Sequence, residues 1–313
     1  MHEDDRKLVL LTGASGRLGA RLAEILQARG FRLRALVRDA QALPGCFESA
    51  LEWRRARTDS AAVDALLEGV SGIVHLASSK AKDQRVCHDA HLAMPELLLN
   101  AAKHSSVSRF IALSSIKAIA GESHESALGT DSMPAPKSGY GRFKLEAERL
   151  LREHEVNSSL ASFTLRLPMV YGLDAKGNFG ALRQAARFRI PLPLAADNQR
   201  SLLFCENLFA CIVHLLEEPQ SPGYRLIHLA DGPALSTEKF FQLIAQAQGS
   251  PGWCVTLPGR WGQKLAGVPV VGGIGERLLG SLCFELGSLN SLSEWETPYT
   301  TAEGVNAAIN PEP

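Results

Sequence analysis

The stretch from Leu8 to Gly19 constrains this chain more than any other. An apolar run stops at Thr12, glycines follow at Gly13, Gly16 and Gly19, and a helical pattern then places Leu18, Leu22, Ile25 and Leu26 on one face. Strand, glycine-rich turn and helix in that order open a dinucleotide-binding unit. Each glycine answers a separate demand: a tight turn at Gly13, close approach of the backbone to a pyrophosphate at Gly16, and close packing of helix on strand at Gly19. The helix start adds unpaired N–H groups and a partial positive charge. Gly13, Ser15, Gly16, Arg17, Leu18 and Gly19 are therefore the expected phosphate cradle of a cofactor site.

Strand and helix signals alternate after it, at Leu33 to Val37, Ala61 to Leu67, Ile73 to Ala77, His88 to Ala102, Phe110 to Ser114 and Gly141 to His154. Alternation of this kind predicts an α/β chain with a doubly wound parallel sheet. Ligands of such sheets bind beyond the carboxyl ends of the strands, which here are Thr12 to Gly16, Val37 to Asp39, Ala77 to Ser79, Ser114 to Lys117 and Arg166 to Gly172. Beyond Gly172 proline and glycine increase and apolar runs become scarce. The expected organisation is a dinucleotide-binding domain over 1–172 and a smaller α/β substrate lobe over 173–313, with segments of the second returning to the sheet. Strand-like Arg225 to Ala230 and helices near Asn207 to Leu216 and Thr237 to Gln248 belong to this second part.

Composition narrows the partner. Lysine plus arginine equals aspartate plus glutamate at 33 each, so the 313-residue chain has no general field for nucleic acid or anionic membranes, and any anion must be held locally. The six cysteines form no C-x-x-C pair and read as buried thiols of a reducing compartment. His88 and His91, three apart, are the one arrangement that hints at metal, and with no third ligand nearby none is expected. The acidic start, M-H-E-D-D-R-K, is unlike a secretory signal, and the tract Leu265 to Gly275 is broken by Pro269 and too short to cross a bilayer. A cytoplasmic protein with a small-molecule partner is expected, with no transmembrane segment and room for a homodimer.

The end of the second strand reads Leu36, Val37, Arg38, Asp39. An acid there would bond the ribose 2′-OH of NAD, whereas Val37 brings none and Arg38, with Arg17, offers a two-arginine clamp for a 2′-phosphate. NADP is the expected cofactor and NAD the alternative. Further on, Ser114 and Ser115 close an apolar strand, and Tyr140 precedes Lys144 by one helical turn. A free phenol has a pKa of about 10, and a nearby ammonium would lower it into proton-relay range. Tyr140 then moves the proton, and Ser115 orients the substrate oxygen, with Ser114 in reserve.

These residues carry a resemblance. T-G-A-S-G-R-L-G, H-L-A-S at His75 to Ser78, S-S-I-K at Ser114 to Lys117, Y-G-R-F-K at Tyr140 to Lys144 and R-L-P-M-V-Y-G at Arg166 to Gly172 resemble the extended short-chain dehydrogenase/reductase family, nucleotide-sugar epimerase, dehydratase and 4-ketoreductase branch. The similarity continues through P-L-P-L at Pro191 to Leu194, R-S-L-L-F-C-E-N-L at Arg200 to Leu208 and the closing W-E-T-P-Y-T-T-A-E-G-V. It implies a Rossmann-like domain with a small C-terminal lobe, a Ser115, Tyr140, Lys144 catalytic set, cofactor contacts that include Ala77, Ser78, Tyr140 and Lys144, and a nucleotide diphosphate held by Asn178 and Arg200. Arg260 and Arg277 are further phosphate candidates, Arg166 a link between lobes, and Leu265 to Gly275 a flap over the substrate.

Two departures stand out. Ala56 lies where relatives carry an acid for the adenine amine, which leaves that role to Thr58 or Asp59, and Ile116 lies where many sugar epimerases place the catalytic Ser or Thr. The implied activity is reduction of a 4-keto-hexose on a nucleotide for polysaccharide biosynthesis, with the alternative of a UDP-hexose or lipid-diphosphate-linked hexose 4-epimerase. A steroid, flavonoid or other ketone is a third substrate class. From another class altogether comes a non-catalytic NADP-binding sensor or assembly protein, which the retained Tyr140 and Lys144 oppose.

Overall fold

The apolar run Leu8–Thr12 is strand β1, and each of its residues is buried, as a strand covered on both faces requires. The computed structural model describes residues 7–40, 45–79, 83–154, 159–173, 177–195, 197–257, 272–285 and 295–311, together with 43, 81 and 292. After β1 the chain enters helix α1 (Arg17–Ala28), whose buried face is Gly19, Leu22, Ala23 and Leu26. Strands β2 (Arg32–Val37) and β3 (Ser49–Glu52), the single-turn helix α2 (Trp53–Ala56) and helix α3 (Ser60–Leu67) follow, α3 being capped by Asp59 through Ala62 N–H at 3.0 Å. Strand β4 (Val70–His75) precedes one long helical passage made of α4 (Gln84–His88), a π-turn (Asp89–Ala93) and α5 (Met94–Ala102). Strand β5 (Arg109–Ser115), helix α6 (Gly139–Glu153) and strand β6 (Ala161–Leu167) come next.

The remaining elements are β7 (Met169–Tyr171), α7 (Gly177–Arg187), β8 (Leu192–Ala195), β9 (Leu202–Phe204), α8 (Cys205–Glu217), β10 (Gly223–His228), α9 (Thr237–Ala247), β11 (Cys254–Leu257), α10 (Gly272–Leu279) and α11 (Thr301–Ile309). Seven strands form the main sheet in the order β10-β6-β5-β4-β1-β2-β3. β1 pairs in parallel with β2 and with β4, β2 with β3 and β4 with β5, so the order reverses at β1 and the carboxyl ends of β1, β2, β4 and β5 open on one side. Among the described residues no helix is long and apolar enough to cross a membrane.

Two compact units result, and they interleave along the chain. The first comprises Met1–Ala118, Ser138–Arg166 and Ile212–Leu226, and the second Ile119–Lys137, Leu167–Cys211 and Ile227–Pro313. In the first, Leu10, Leu36, Ile73, Leu98, Leu99, Phe110 and Leu151 belong to one buried cluster. Each such side chain contributes about 1.5–3 kcal/mol on leaving water.

The second unit is built around Tyr171. Its ring lies 5.4 Å from Phe179, 5.5 Å from Phe204 and 5.4 Å from Phe240, and its hydroxyl donates to Asp231 Oδ2 at 2.8 Å. The other oxygen of Asp231 accepts from Phe204 N–H and Asn207 Nδ2, both at 2.7 Å. Asn207 also pairs with both backbone groups of Tyr299, which ties in the closing stretch. There Thr300 and Glu303 form a capping box on α11, and a Cβ at Gly304 would fall 2.6 Å from the Tyr171 hydroxyl. The E-G-V ending is thus a packing requirement.

Most predicted elements appear within two residues of their expected ends. β4 stops at His75, two residues short, which leaves Ala77 and Ser78 in the loop that follows. The helix expected from His88 starts at Gln84 and holds the π-turn. Cys46 and Cys254 are half-buried, in contrast to the expectation for all six thiols, and no cysteine is bonded to another.

Asp231→Ala leaves Phe204 N–H and an Asn207 N–H without their acceptor in a buried site, and leaves the Tyr171 hydroxyl only Thr301 O at 3.2 Å among the described residues. A loss of about 3–5 kcal/mol is expected in urea unfolding. Asp231→Asn, which keeps one acceptor oxygen, should lose less.

Candidate active site

The glycine turn fits a dinucleotide in its own geometry. Gly13 has φ +71°, and a Cβ there would lie 2.7 Å from Ala77 N, so both conformation and space demand glycine. At Gly19 a Cβ would lie 2.2 Å from Gly13 O. Gly16 is exposed, and its N–H closes the turn on Gly13 O at 2.9 Å. No side chain caps α1, and its first turn carries no acid. Ser15, Gly16 and Arg17 are open to solvent beside these N–H groups and Leu18 is half-buried, an arrangement suited to a pyrophosphate.

A buried chain of hydrogen bonds holds this turn. Thr12 Oγ1 accepts from Ala77 N–H at 3.1 Å and donates to His75 Nδ1 at 2.8 Å, and His75 Nε2–H reaches Ala90 O on the π-turn at 3.0 Å. Burial, then the Lys144 ammonium and His91, lower the His75 pKa to about 3, so the ring is neutral at physiological pH.

Ser115 ends β5, and Ser138 caps α6 by accepting from Gly141 N–H at 3.0 Å, which starts the helix just before Tyr140. The structure brings Ser115, Tyr140 and Lys144 together in the first unit. The Tyr140 hydroxyl is hydrogen-bonded to the hydroxyls of Ser78 and Ser115. Lys144 is buried, donates to Leu113 O at 2.7 Å, and sits 5.8 Å from the Tyr140 ring centre. Burial holds the phenol above its usual pKa, and the two serine hydroxyls pull it back down. This corrects the sequence reading, in which the ammonium brought it below.

Ser114 is engaged elsewhere. Its hydroxyl donates to Glu148, and Arg166 grips the same carboxylate at 2.9 and 2.6 Å, with Glu148 and Arg166 only 5% and 3% exposed. Ser114 thus locks β5 to α6 and β6, while Ser115, at the very end of the strand, meets the phenol earlier on α6. Arg166 spends its charge on Glu148 inside the first unit.

Val37 is buried, while Arg38 and Arg17 are exposed at the carboxyl ends of the paired strands β2 and β1. Ala56 is core, and both residues left for adenine are in local use: Asp59 caps α3 and pairs with Arg55, and Thr58 donates to Arg55 O at 3.2 Å. His88 lies on the surface and His91 inside, so the pair does not converge. His91 instead sits against Tyr140, with ring centres 5.7 Å apart and edge to face. Reading H-D-A-H as a regular helix hid this contact, because the π-turn changes which residues share a face.

The second unit contains its own cavity of about 430 Å³. Asn178, Arg200 and Arg277 face it among Met169, Leu192 and Phe240. Arg200 donates to Gly280 O at 2.7 Å, to Glu276 O at 3.3 Å and to Glu122 O at 3.4 Å, and Arg277 pairs with Glu122 at 3.1 Å. Burial lowers the Arg200 pKa to about 10, which leaves it charged. Arg260 and 265–271 of the expected flap lie outside the described residues, and Gly272 begins α10.

The model of the NAD dependent epimerase/dehydratase family matches residues 9–230, and the chain belongs to that family. It is 30% identical over 319 residues to the UDP-glucose 4-epimerase of Vibrio cholerae, covering 96% of this chain and 94% of that one. It is 28% identical over 252 residues to the 4-hydroxy-2-methyl-3-oxo-4-farnesyl-3,4-dihydroquinoline-1-oxide ketoreductase of Stigmatella aurantiaca, covering 76% and 72%. Among solved structures, UDP-glucuronic acid 4-epimerase from Bacillus cereus, in complex with UDP-glucuronic acid and NAD, shares the fold with a TM-score of 0.71 and 19% identity over 96% of this chain and 98% of that one. The protein is an NAD(P)-dependent enzyme of Rossmann-like fold.

The neutral, buried His75 makes stability depend on pH. Unfolded histidine binds its proton near pH 6.5, the folded ring only near 3, so the unfolded state takes up more protons between those values and stability falls as pH falls through 6.5. Between pH 7.5 and 5 the protein should lose about 2 kcal/mol more than a His75→Asn variant, read from urea midpoints at each pH.

Proposed function

We propose that this family member reduces the C4 ketone of a nucleotide-linked hexose with NADPH, using Ser115, Tyr140 and Lys144. The observation that carries the proposal is the Tyr140 hydroxyl, hydrogen-bonded to both Ser115 and Ser78 with the buried Lys144 one helical turn on. The nicotinamide supplies the hydride. Tyr140 gives its proton to the C4 oxygen, and Ser115 donates a hydrogen bond that places that oxygen. The phenolate left behind is favoured by the hydroxyls of Ser78 and Ser115 and by the positive charge of Lys144. Regaining a proton restores Tyr140 for the next cycle.

For the cofactor, the open turn of Ser15, Gly16, Arg17 and Leu18 takes the pyrophosphate, Ala77 and Ser78 border it, and Arg17 with Arg38 takes the 2′-phosphate. Exposure of both arginines and the apolar Val37 support NADP, whereas the Bacillus cereus neighbour carries NAD. For the nucleotide diphosphate we assign the cavity of the second unit, where Asn178, Arg200 and Arg277 supply donors and charge. Exchangeable NADP suits net reduction, and the Stigmatella aurantiaca relative is itself a ketoreductase.

A second reading is 4-epimerisation of a UDP-hexose, favoured by the near full-length similarity to the Vibrio cholerae enzyme. An epimerase must keep its cofactor and return the same hydride to the other face of the sugar. Net reduction predicts that the purified protein carries little nicotinamide and consumes NADPH with a 4-keto-hexose nucleotide. Conversion of a UDP-hexose to its C4 epimer without added cofactor would replace the first reading by the second.

Two substitutions test the assigned roles. Arg38→Ala should remove most of the preference for NADPH over NADH, a charge-assisted contact being worth about 1.5–3 kcal/mol, and equal binding of the two by the unsubstituted protein would overturn the assignment. Tyr140→Phe should lower turnover by about 10²-fold or more with cofactor binding nearly intact in a fluorescence titration. Substantial turnover in that variant would remove Tyr140 from the chemistry.

A further inference from the structure

We propose that His91 is a positioning residue for Tyr140: from the π-turn its ring backs the phenol and pins the strand-end segment whose Ser78 hydroxyl bonds that phenol. The inference rests on the reading of Tyr140 as the proton donor. It starts from backbone geometry, since the passage Gln84–Ala102 is helical except at the π-turn Asp89–Ala93, where one wider turn re-aims the side chains. His91 on that turn is buried, edge-on to Tyr140 at 5.7 Å and stacked on Phe143 at 5.9 Å, with an interplanar angle of 16°. Its Nε2 lies 3.0 Å from Ser79 O and 3.2 Å from Ser79 N. One ring therefore touches the catalytic helix and holds the residue after Ser78.

The other ring nitrogen, Nδ1, is buried and has no hydrogen-bond partner among the described residues. A packing residue at this spot would leave no such orphan, so an imidazole placed here for its Nε2 contact accounts for what an apolar ring would not. The segment is held from a second side by Cys87, whose thiol approaches Ala81 O at 3.3 Å. Among the described residues, the charged and titratable groups that act on His91 are Lys144 on α6 and His75 at the end of β4. Burial and the Lys144 ammonium hold His91 down near pKa 4, so it contributes geometry without adding charge beside the phenol.

The test uses His91→Phe, which keeps a ring against Tyr140 but cannot bond Ser79, and His91→Gln, which restores an amide nitrogen near the place of Nε2. Tyrosinate formation is followed by ultraviolet difference titration of the free protein, with Tyr140 assigned by subtracting Tyr140→Phe. His91→Phe should raise the Tyr140 titration, move the kcat pH profile the same way, and lower kcat about tenfold with KM changed less than about twofold. His91→Gln should recover most of each change. Ser78→Ala, a surface substitution, should give the same upward titration shift, and the double variant with His91→Phe should show no more than the larger single effect. An unshifted titration in His91→Phe, or additive effects in the double variant, overturns the proposal. If His91→Phe does not fold, failure of Ser78→Ala to shift the Tyr140 titration overturns it equally. Undiminished turnover in Tyr140→Phe would instead refute the reading beneath it, and the titrations of the free protein would still decide whether His91 positions the phenol.

Discussion

Thr12 is the node on which the first unit's chemistry rests. Fully buried at the end of β1, its hydroxyl takes the Ala77 N–H on one side and gives its own proton to His75 on the other. An isosteric valine would fill the space and leave two buried polar groups unpaired, which is why size alone does not specify the position. Through His75 the same chain of bonds reaches Ala90 O, so the glycine turn, the loop after β4 and the π-turn are braced by one set of contacts. The glycine turn and the residues around Tyr140 thus share a scaffold. A change that loosens the strand end disturbs both.

The electrostatics around the phenol follow from how little water remains there. Burial raises Tyr140 above its ordinary range, and hydroxyl donors from Ser78 and Ser115 oppose it. Burial, with the Lys144 charge adding to it, keeps the His75 and His91 imidazoles neutral. Neutral rings then serve as fixed hydrogen-bonding frames, and the ammonium is left as the local positive charge that a phenolate would meet. A lysine that only filled space would have no reason to be buried with its Nζ on a backbone carbonyl.

Much of this was legible from residues because it depends on local rules. Gly13, Gly16 and Gly19 announced strand, turn and helix, and the spacing of Tyr140 and Lys144 announced a shared helix face. Ser114 and Ser115 look alike as a strand-end pair, and only the structure shows that Ser114 belongs to the buried pair of Glu148 and Arg166. Glu148 carries no signal in the sequence, because a buried ion pair is made by tertiary contact and leaves no periodic trace. The same holds for Asp231 and Asn207, which meet Tyr171 and Tyr299 across long stretches of chain. The short strands β3, β8 and β11 passed unseen because four residues hold too few alternations to separate them from loops. The π-turn was hidden for a different reason: it inserts a residue into a pattern whose regularity is the signal.

The cavity of the second unit concentrates positive charge in a chain that has no net charge. Its walls are largely apolar, with Met169, Leu192 and Phe240 among them, and its charge comes from Arg200 and Arg277. Arg200 is held by three backbone carbonyls, so its guanidinium reaches the cavity already oriented and loses little freedom when a ligand arrives. Its partial desolvation lowers its pKa and leaves it fully protonated at neutral pH, while the apolar surroundings strengthen its field by excluding water. Glu122 offsets the second arginine through a half-exposed ion pair, which keeps two like charges compatible in one pocket. Local charge in a low-dielectric wall is how a chain without a basic surface would supply the nucleotide-diphosphate site proposed for this cavity.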